Sequence, residues 1–296
     1  MALAPRVVVV HRRSELDALV ERHGTRGQAE FFLRSRGRNL AEVQRHHDAL
    51  QQALAAAGAA ISADWRRGQV ERSDLDRFAF EPEDLVIAVG ADGLVANVAK
   101  YLDGQPVVGF DPEPGRNAGV LVHPRDEGLA ELLTGIIAGR APLQPRAMVR
   151  ASLDDGTTLD ALNDVFLGDE GHQSARYRIS LADGSSEFQS SSGLIVATGT
   201  GASGWAASIA KDRDIGLLPA PDSPELAWFV REAWPSPSTG RQLTAGFLEP
   251  GSEVEVLVQA DSLVAFGDGM ESDRVRATWG QSVRLGVSPR RLQLVA

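Results

Sequence analysis

Cysteine is absent from the 296-residue sequence. Disulfides, thiolate zinc sites and cysteine nucleophiles are thereby excluded, and the absence fits a reducing compartment such as the cytoplasm. Lysine is nearly absent, since Lys100 and Lys211 are the only two. Positive charge as a whole is in short supply: 30 basic residues face 40 acidic ones and leave a formal charge of −10. A net anion repels a phosphate backbone unless it carries a strong local basic patch, so nucleic acid is not an expected partner. No apolar run approaches the roughly 18 residues of a spanning helix, so neither is a membrane. Met1 to Val10 is too short in its apolar part for a signal peptide, and Arg12 and Arg13 follow at once, so it reads as a buried strand. Zinc, Walker A and GxSxG signatures are missing too, and the six histidines show no metal-ligand spacing, so no metal-ligating residue is expected.

What remains is 43% hydrophobic and 24% charged, the composition of a globular chain. The length suits two domains of about 150 residues. Charge is unevenly spread: residues 1 to 77 hold thirteen arginines and ten acids, net +3, so the remainder carries −13.

The first half alternates strand and helix patterns. Arg6 to Val10 is an uninterrupted β-branched run, as in a parallel strand covered on both faces. Leu40, Val43, His47, Leu50, Leu54 and Ala57 fall at helical spacing, with Asn39 to cap the helix and Gly58 to stop it. Leu85 to Val89 is a second buried strand. Gly90-Ala91-Asp92-Gly93 then turns into a helix, and Pro106 to Phe110 is another strand. Strand, helix, strand in this order makes a right-handed βαβ unit.

Near Arg140 to Pro145 the texture changes, and short alternating segments appear between Asp-Gly turns. Ala147 to Leu153 and Leu159 to Leu167 flank Asp155-Gly156, and Tyr177 to Leu181 and Glu187 to Gln189 flank Asp183-Gly184. Each pair predicts a hairpin, because Asp-Gly supplies the positive φ of a tight turn. Runs at Val254 to Val258, Leu263 to Phe266, Val275 to Trp279, Val283 to Val287 and Leu292 to Val295 continue the series. One helix is inserted at Trp205 to Lys211, and the proline-rich Leu217 to Pro237 is expected to be irregular surface chain.

Four segments carry chemistry. Asp92 follows a buried strand, where open α/β sheets place ligands, and its carboxylate can accept a proton or hold a metal, or else it only caps the helix. Asn163-Asp164 interrupts an apolar run where a strand would show one polar residue, so either one of the pair faces a cleft or the strand is an edge. Thr198 to Gly204 spells GxGxxG, but it lacks the parallel strand and distant acid of a dinucleotide turn. Its hydroxyls and helix-start amides suit phosphate or ribose; otherwise it is a flexible loop. Gly267-Asp268-Gly269 by itself is a turn.

Taken in order, these segments resemble the NAD kinase family, closest in wording to its mitochondrial-type branch. The family's GGDG, Asn-Asp or Asn-Glu, Thr/Gly-rich loop and late Asp-Gly correspond to Gly90 to Gly93, Asn163-Asp164, Thr198 to Ser208 and Asp268-Gly269. The resemblance implies an α/β N-terminal domain with a parallel, Rossmann-like sheet, 1–143, for the phosphate donor and catalysis. It also implies an all-β, β-sandwich-like domain, 144–296, for the nucleotide, whose last strand can return to the first domain. The active site would lie in the cleft between them. The reaction would carry the γ-phosphoryl of ATP, or of a polyphosphate, with Mg²⁺, to the 2′-hydroxyl of the adenosine ribose of NAD. Asp92 would be the proton acceptor. Gly90, Gly93, Asn163, Asp164, Thr198, Thr200, Gly201, Ser203, Gly204, Ser208 and Asp268 would contact nucleotide, and a homodimer in the cytoplasm is expected. Arg12 and Arg13, after the first strand, are assigned to phosphate. Four positions depart from the family: Ala91 for Gly, Leu94 for Thr, Asp111 for Asn and Val120 for Phe. A lipid or sugar kinase sharing the GGDG turn and a non-catalytic nucleotide binder are the competing readings.

Overall fold

The computed structural model describes residues 4–116, 119–123 and 128–296. The chain forms two compact units, Met1–Leu143 with Gln293–Ala296, and Gln144–Leu292. The first is α/β with a parallel sheet; the second is antiparallel and almost wholly β.

In unit 1 the elements are β1 (Arg6–His11), α1 (Glu15–His23), α2 (Arg26–Arg34), α3 (Leu40–Ala60), β2 (Arg66–Glu71), a 3-10 helix (Arg72–Arg77), β3 (Asp84–Val89), α4 (Asp92–Ala99), β4 (Pro106–Phe110) and α5 (Leu129–Ile137). The parallel order is β2-β1-β3-β4, and Gln293 and Leu294 pair beside β4. Val7 to Val10 and the whole of β3 are buried, which accounts for their unbroken apolar character. Residues 1–3 of the expected N-terminal strand lie outside the described residues. Asn39 Oδ1 accepts from Ala41 N at 2.8 Å and so caps α3. Gly58 does not stop this helix, which continues to Ala60. Ala53 and Ala57 pack with Val7, Val9, Leu85 and Ile87, and that contact outweighs one glycine's helix penalty of about 1 kcal/mol. Among the described residues no helix is long and apolar enough to cross a membrane.

Unit 2 contains β5 (Leu143–Leu153), β6 (Thr158–Ala161), β7 (Asp164–Gly168), β8 (Ala175–Leu181), β9 (Ser186–Ser191), β10 (Leu194–Thr198), α6 (Trp205–Asp212), β11 (Leu226–Val230), β12 (Ala245–Leu248), β13 (Glu253–Val258), β14 (Ser262–Gly267), β15 (Met270–Thr278) and β16 (Ser282–Val295). One sheet runs β12-β11-β10-β7-β14-β15. In the other, β16-β13-β8-β9 are neighbours, and β5 pairs both β16 and β6. Both sheets contribute to one core, with Val165, Val196 and Trp228 from the first and Tyr177, Val256 and Leu285 from the second.

Three expectations are corrected here. Leu159 to Leu167 is not one strand: it breaks between Ala161 and Asp164, and its halves join different sheets. Leu217 to Pro237 is not wholly irregular, because all five residues of β11 are buried between β10 and β12. The flanking prolines only delimit that strand. Val283 to Val287 and Leu292 to Val295 belong to a single strand, β16.

Candidate functional site

The candidate side chains gather at one place in each unit. In unit 1, β3 ends at Val89 and Gly90 N donates to Phe110 O at 3.0 Å, tying the turn to β4. Ala91 precedes α4 with φ −78°, a conformation any residue adopts, so alanine fits where the family has glycine. No side-chain cap closes this helix, so the capping role for Asp92 is not realised. Its carboxylate instead accepts from Val120 N at 2.7 Å and Leu121 N at 3.1 Å. That loop is drawn in by Gly109, where an added Cβ would lie 2.1 Å from Leu121 O. His123 N donates to Gly109 O at 2.9 Å and completes the fold-back. Asp92 is therefore fixed at the carboxyl edge of the sheet and at the start of a helix, with lone pairs left on both oxygens. Gly93 has open space around it. Leu94 is buried, so its side chain belongs to the core. Val120 is exposed, and Asp111 Oδ1 accepts from Glu113 N at 2.8 Å, closing a local turn.

Arg12 and Arg13 follow β1 at the same edge, since His11 stands opposite Val89 of β3. Their situations differ. Arg13 pairs with Glu21 and, at 3.4 Å, with Glu71. Arg12 has no carboxylate partner among the described residues; burial, and then the charge of Arg72, hold it below the ordinary arginine value. Arg72 escaped sequence reading because it opens the 3-10 helix just after β2, and neither polar segment has an apolar run to reveal it.

In unit 2 the Asn163-Asp164 pair sits, half-buried, at the break between β6 and β7. Its backbone is held from two sides. Asp268 Oδ2 accepts from Leu162 N at 2.9 Å and Asp268 Oδ1 from Asn163 N at 2.7 Å. Thr198 N donates to Asn163 O at 2.9 Å, and Thr198 Oγ1 donates to Leu162 O at 2.6 Å. The buried Thr198 hydroxyl also accepts from Gly201 N at 3.1 Å, which ties the glycine-rich loop to the same turn. Three distant motifs thus meet at one backbone turn, and among the described residues no hydrogen bond engages the side chains of Asn163 and Asp164. Burial raises the Asp164 carboxyl to about 6.

The glycines of the loop serve contact within the chain. A Cβ on Gly199 would lie 1.8 Å from Ala220 O, and one on Gly201 would lie 2.1 Å from Asn163 O. Thr200 is buried and reaches Pro221 O at 3.4 Å. Ser203, Gly204 and Ser208 are exposed at and just beyond the loop's end. Trp205 sits among them, stacked on Phe166 at 5.9 Å with the Arg231 guanidinium 5.1 Å from its ring. Sequence reading passed over Trp205 because an aromatic at a helix start gives no sign of its exposure. Thr198, Gly201 and Asp268 each have polar groups engaged in hydrogen bonds within the fold. Among the described residues no three His, Asp or Glu side chains converge as a metal site.

No protein-family model matches the chain. Three curated relatives are informative. An NAD kinase from Chlorobaculum tepidum is 26% identical over 140 residues, covering 47% of this chain and 47% of the relative. The chain is similar to NAD kinases. NAD kinase 2, mitochondrial, from Rattus norvegicus is 29% identical over 185 residues, covering 47% of this chain and 44% of the relative. The Homo sapiens protein of that name is 28% identical over 186 residues, covering 47% and 42%. Each match spans less than half the length of the relative.

Proposed function

We propose that this chain is an NAD kinase, transferring the γ-phosphoryl of ATP, or the terminal phosphoryl of a polyphosphate, to the 2′-hydroxyl of the adenosine ribose of NAD. The observation that carries the reading is the convergence of Asn163-Asp164, the Thr198 loop and Asp268 on one turn, since these are the motifs by which the sequence resembles that family. Asp92 accepts the 2′-hydroxyl proton as the ribose oxygen forms its bond to phosphorus. The bond from phosphorus to the bridging oxygen breaks, and ADP carries away the electron pair.

Phosphoryl transfer asks little covalent work of a protein, so positioning and charge neutralisation dominate. Two backbone N–H donors on Asp92 and the anchored backbone of Asn163-Asp164 supply that positioning. Asp164 and Asn163 offer an acceptor and an amide to ribose hydroxyls; Ser203, Gly204 and Ser208 offer hydroxyls and backbone groups to base and ribose. Mg²⁺ arrives on the phosphate oxygens of ATP as part of the substrate. The test is incubation with ATP, Mg²⁺ and NAD and measurement of NADP. Product formation is expected; NAD binding without product under any phosphoryl donor rejects the catalytic reading in favour of a nucleotide-binding homologue.

A further inference from the structure

The carboxyl edge of the unit 1 sheet holds two guanidiniums that the reaction above leaves unused. β1 and β2 run parallel with His11 opposite Glu71, so Arg12 and Arg72 leave adjacent strand ends at the same level. β1 also pairs with β3, which brings Arg12 to the edge where Gly90 begins the Asp92 turn. The two cations feel each other, for Arg72 is one of the causes that depress Arg12. Among the described residues neither has a carboxylate partner, whereas the neighbouring Arg13 is held by Glu21 and Glu71. Arg72 Nε donates to Asn97 Oδ1, a neutral acceptor on α4 whose side chain is buried. Asn97 and Asp92 stand on the same helix, so Arg72 is tied to the element that carries the proton acceptor.

Like charges held together without a counter-charge cost free energy in the free protein, and an anion with several oxygens lying across both removes that cost. Planar guanidinium forks fit phosphate oxygens in pairs, which an ammonium cannot do. We propose that Arg12 and Arg72 together bind the condensed-phosphate chain of the phosphoryl donor, with Asn97 as the residue that positions Arg72. The inference rests on the kinase reading of Asp92. Two donors share this chemistry, the terminal phosphates of ATP and inorganic polyphosphate. Both pass beside Asp92 in the same way.

Calorimetric titration of the full chain with MgATP, and separately with inorganic tripolyphosphate, tests the pair. The variants are Arg12→Ala, Arg72→Ala and Arg72→Lys, with Arg77→Ala as the control at the exposed end of the 3-10 helix. Arg12→Ala and Arg72→Ala are each expected to weaken binding by about tenfold or more, Arg72→Lys by less, and Arg77→Ala not at all. Asn97→Ala should raise the KM for the donor with kcat little changed, the sign of a positioning role. Arg12 is outside the buried core, so its variant keeps the test open should Arg72→Ala fold poorly. Loss of ATP binding alone in the variants supports the pair with a nucleotide donor, and loss of both supports it with either source. Unaltered affinity in both alanine variants overturns the proposal, as does a wild type that binds neither ligand. Failure of the kinase reading looks different: no NADP forms, while tripolyphosphate binding and its loss in the variants persist.

Discussion

Asp92 and Asp164 are both carboxylates beside strand ends, yet their surroundings separate them. Asp92 receives two backbone N–H groups, which fix its direction. On the proposed kinase reading, Asp92→Asn keeps the shape and removes the base, so kcat should fall by about 10² to 10⁴ while NAD affinity, followed by titration, stays close to wild type. A variant with near-normal turnover would remove Asp92 from the mechanism. Asp164 has no such partner among the described residues, and burial raises it from 3.8 to about 6. Between those values the folded chain holds a proton that the unfolded chain has released. Stability from this group therefore falls as pH rises through that window, by on the order of 3 kcal/mol once it is complete. Asp164→Asn removes that slope. Thermal melts should show the variant gaining on the wild type from pH 4 to pH 7, and parallel curves would disprove the shift.

Among the elements, the turn between β6 and β7 depends on groups far away in sequence. Asp268 sits in the left-handed region at φ 54° and accepts from Leu162 and Asn163. Asp268→Ala leaves those donors without an acceptor, at a cost of about 2 kcal/mol or more. On the proposed kinase reading, the looser turn should weaken NAD binding more than it slows turnover. Asp268→Asn, which tolerates the same φ and keeps an oxygen, should lose less. Gly201→Ala would drive a Cβ to 2.1 Å from a backbone oxygen of that turn, so a lowered midpoint on heating is expected. Legibility in the sequence divides at this scale. β1, β3, β4 and α6 were readable because their apolar residues keep one period over a whole element. The break before β7 was not, because a strand that changes sheets keeps its apolar character on both sides of the switch. Nor was β11, whose flanking prolines masked a fully buried core strand.

At the scale of the molecule, the chain end closes unit 1. Gln293 and Leu294 pair with Pro106 and Val107, and Leu294 and Val295 are buried. Deletion of Gln293–Ala296 should destabilise unit 1 by about 3 kcal/mol or more, from two lost apolar side chains and a lost strand edge. A melting curve unchanged by the deletion would contradict that role. The charge surplus of residues 1 to 77 has a physical place as well. Much of it is spent in ion pairs such as Arg13 with Glu21 and Arg38 with Glu15, and Arg12 and Arg72 are the remainder at the sheet's carboxyl edge.

By itself the sequence determined the α/β and all-β halves, the position of Asp92 beyond a buried strand, and the order of motifs that resembles NAD kinases. These are local facts, written in periodicity, turn residues and spacing. Only the tertiary structure decided which polar groups are already committed. Thr198, Gly201 and Asp268 hold the Asn163-Asp164 turn, Arg13 is neutralised by two glutamates, and Arg72 stands beside Arg12. Such assignments depend on which backbone amides and charges come within hydrogen-bond reach across a hundred residues, and no local pattern encodes that distance.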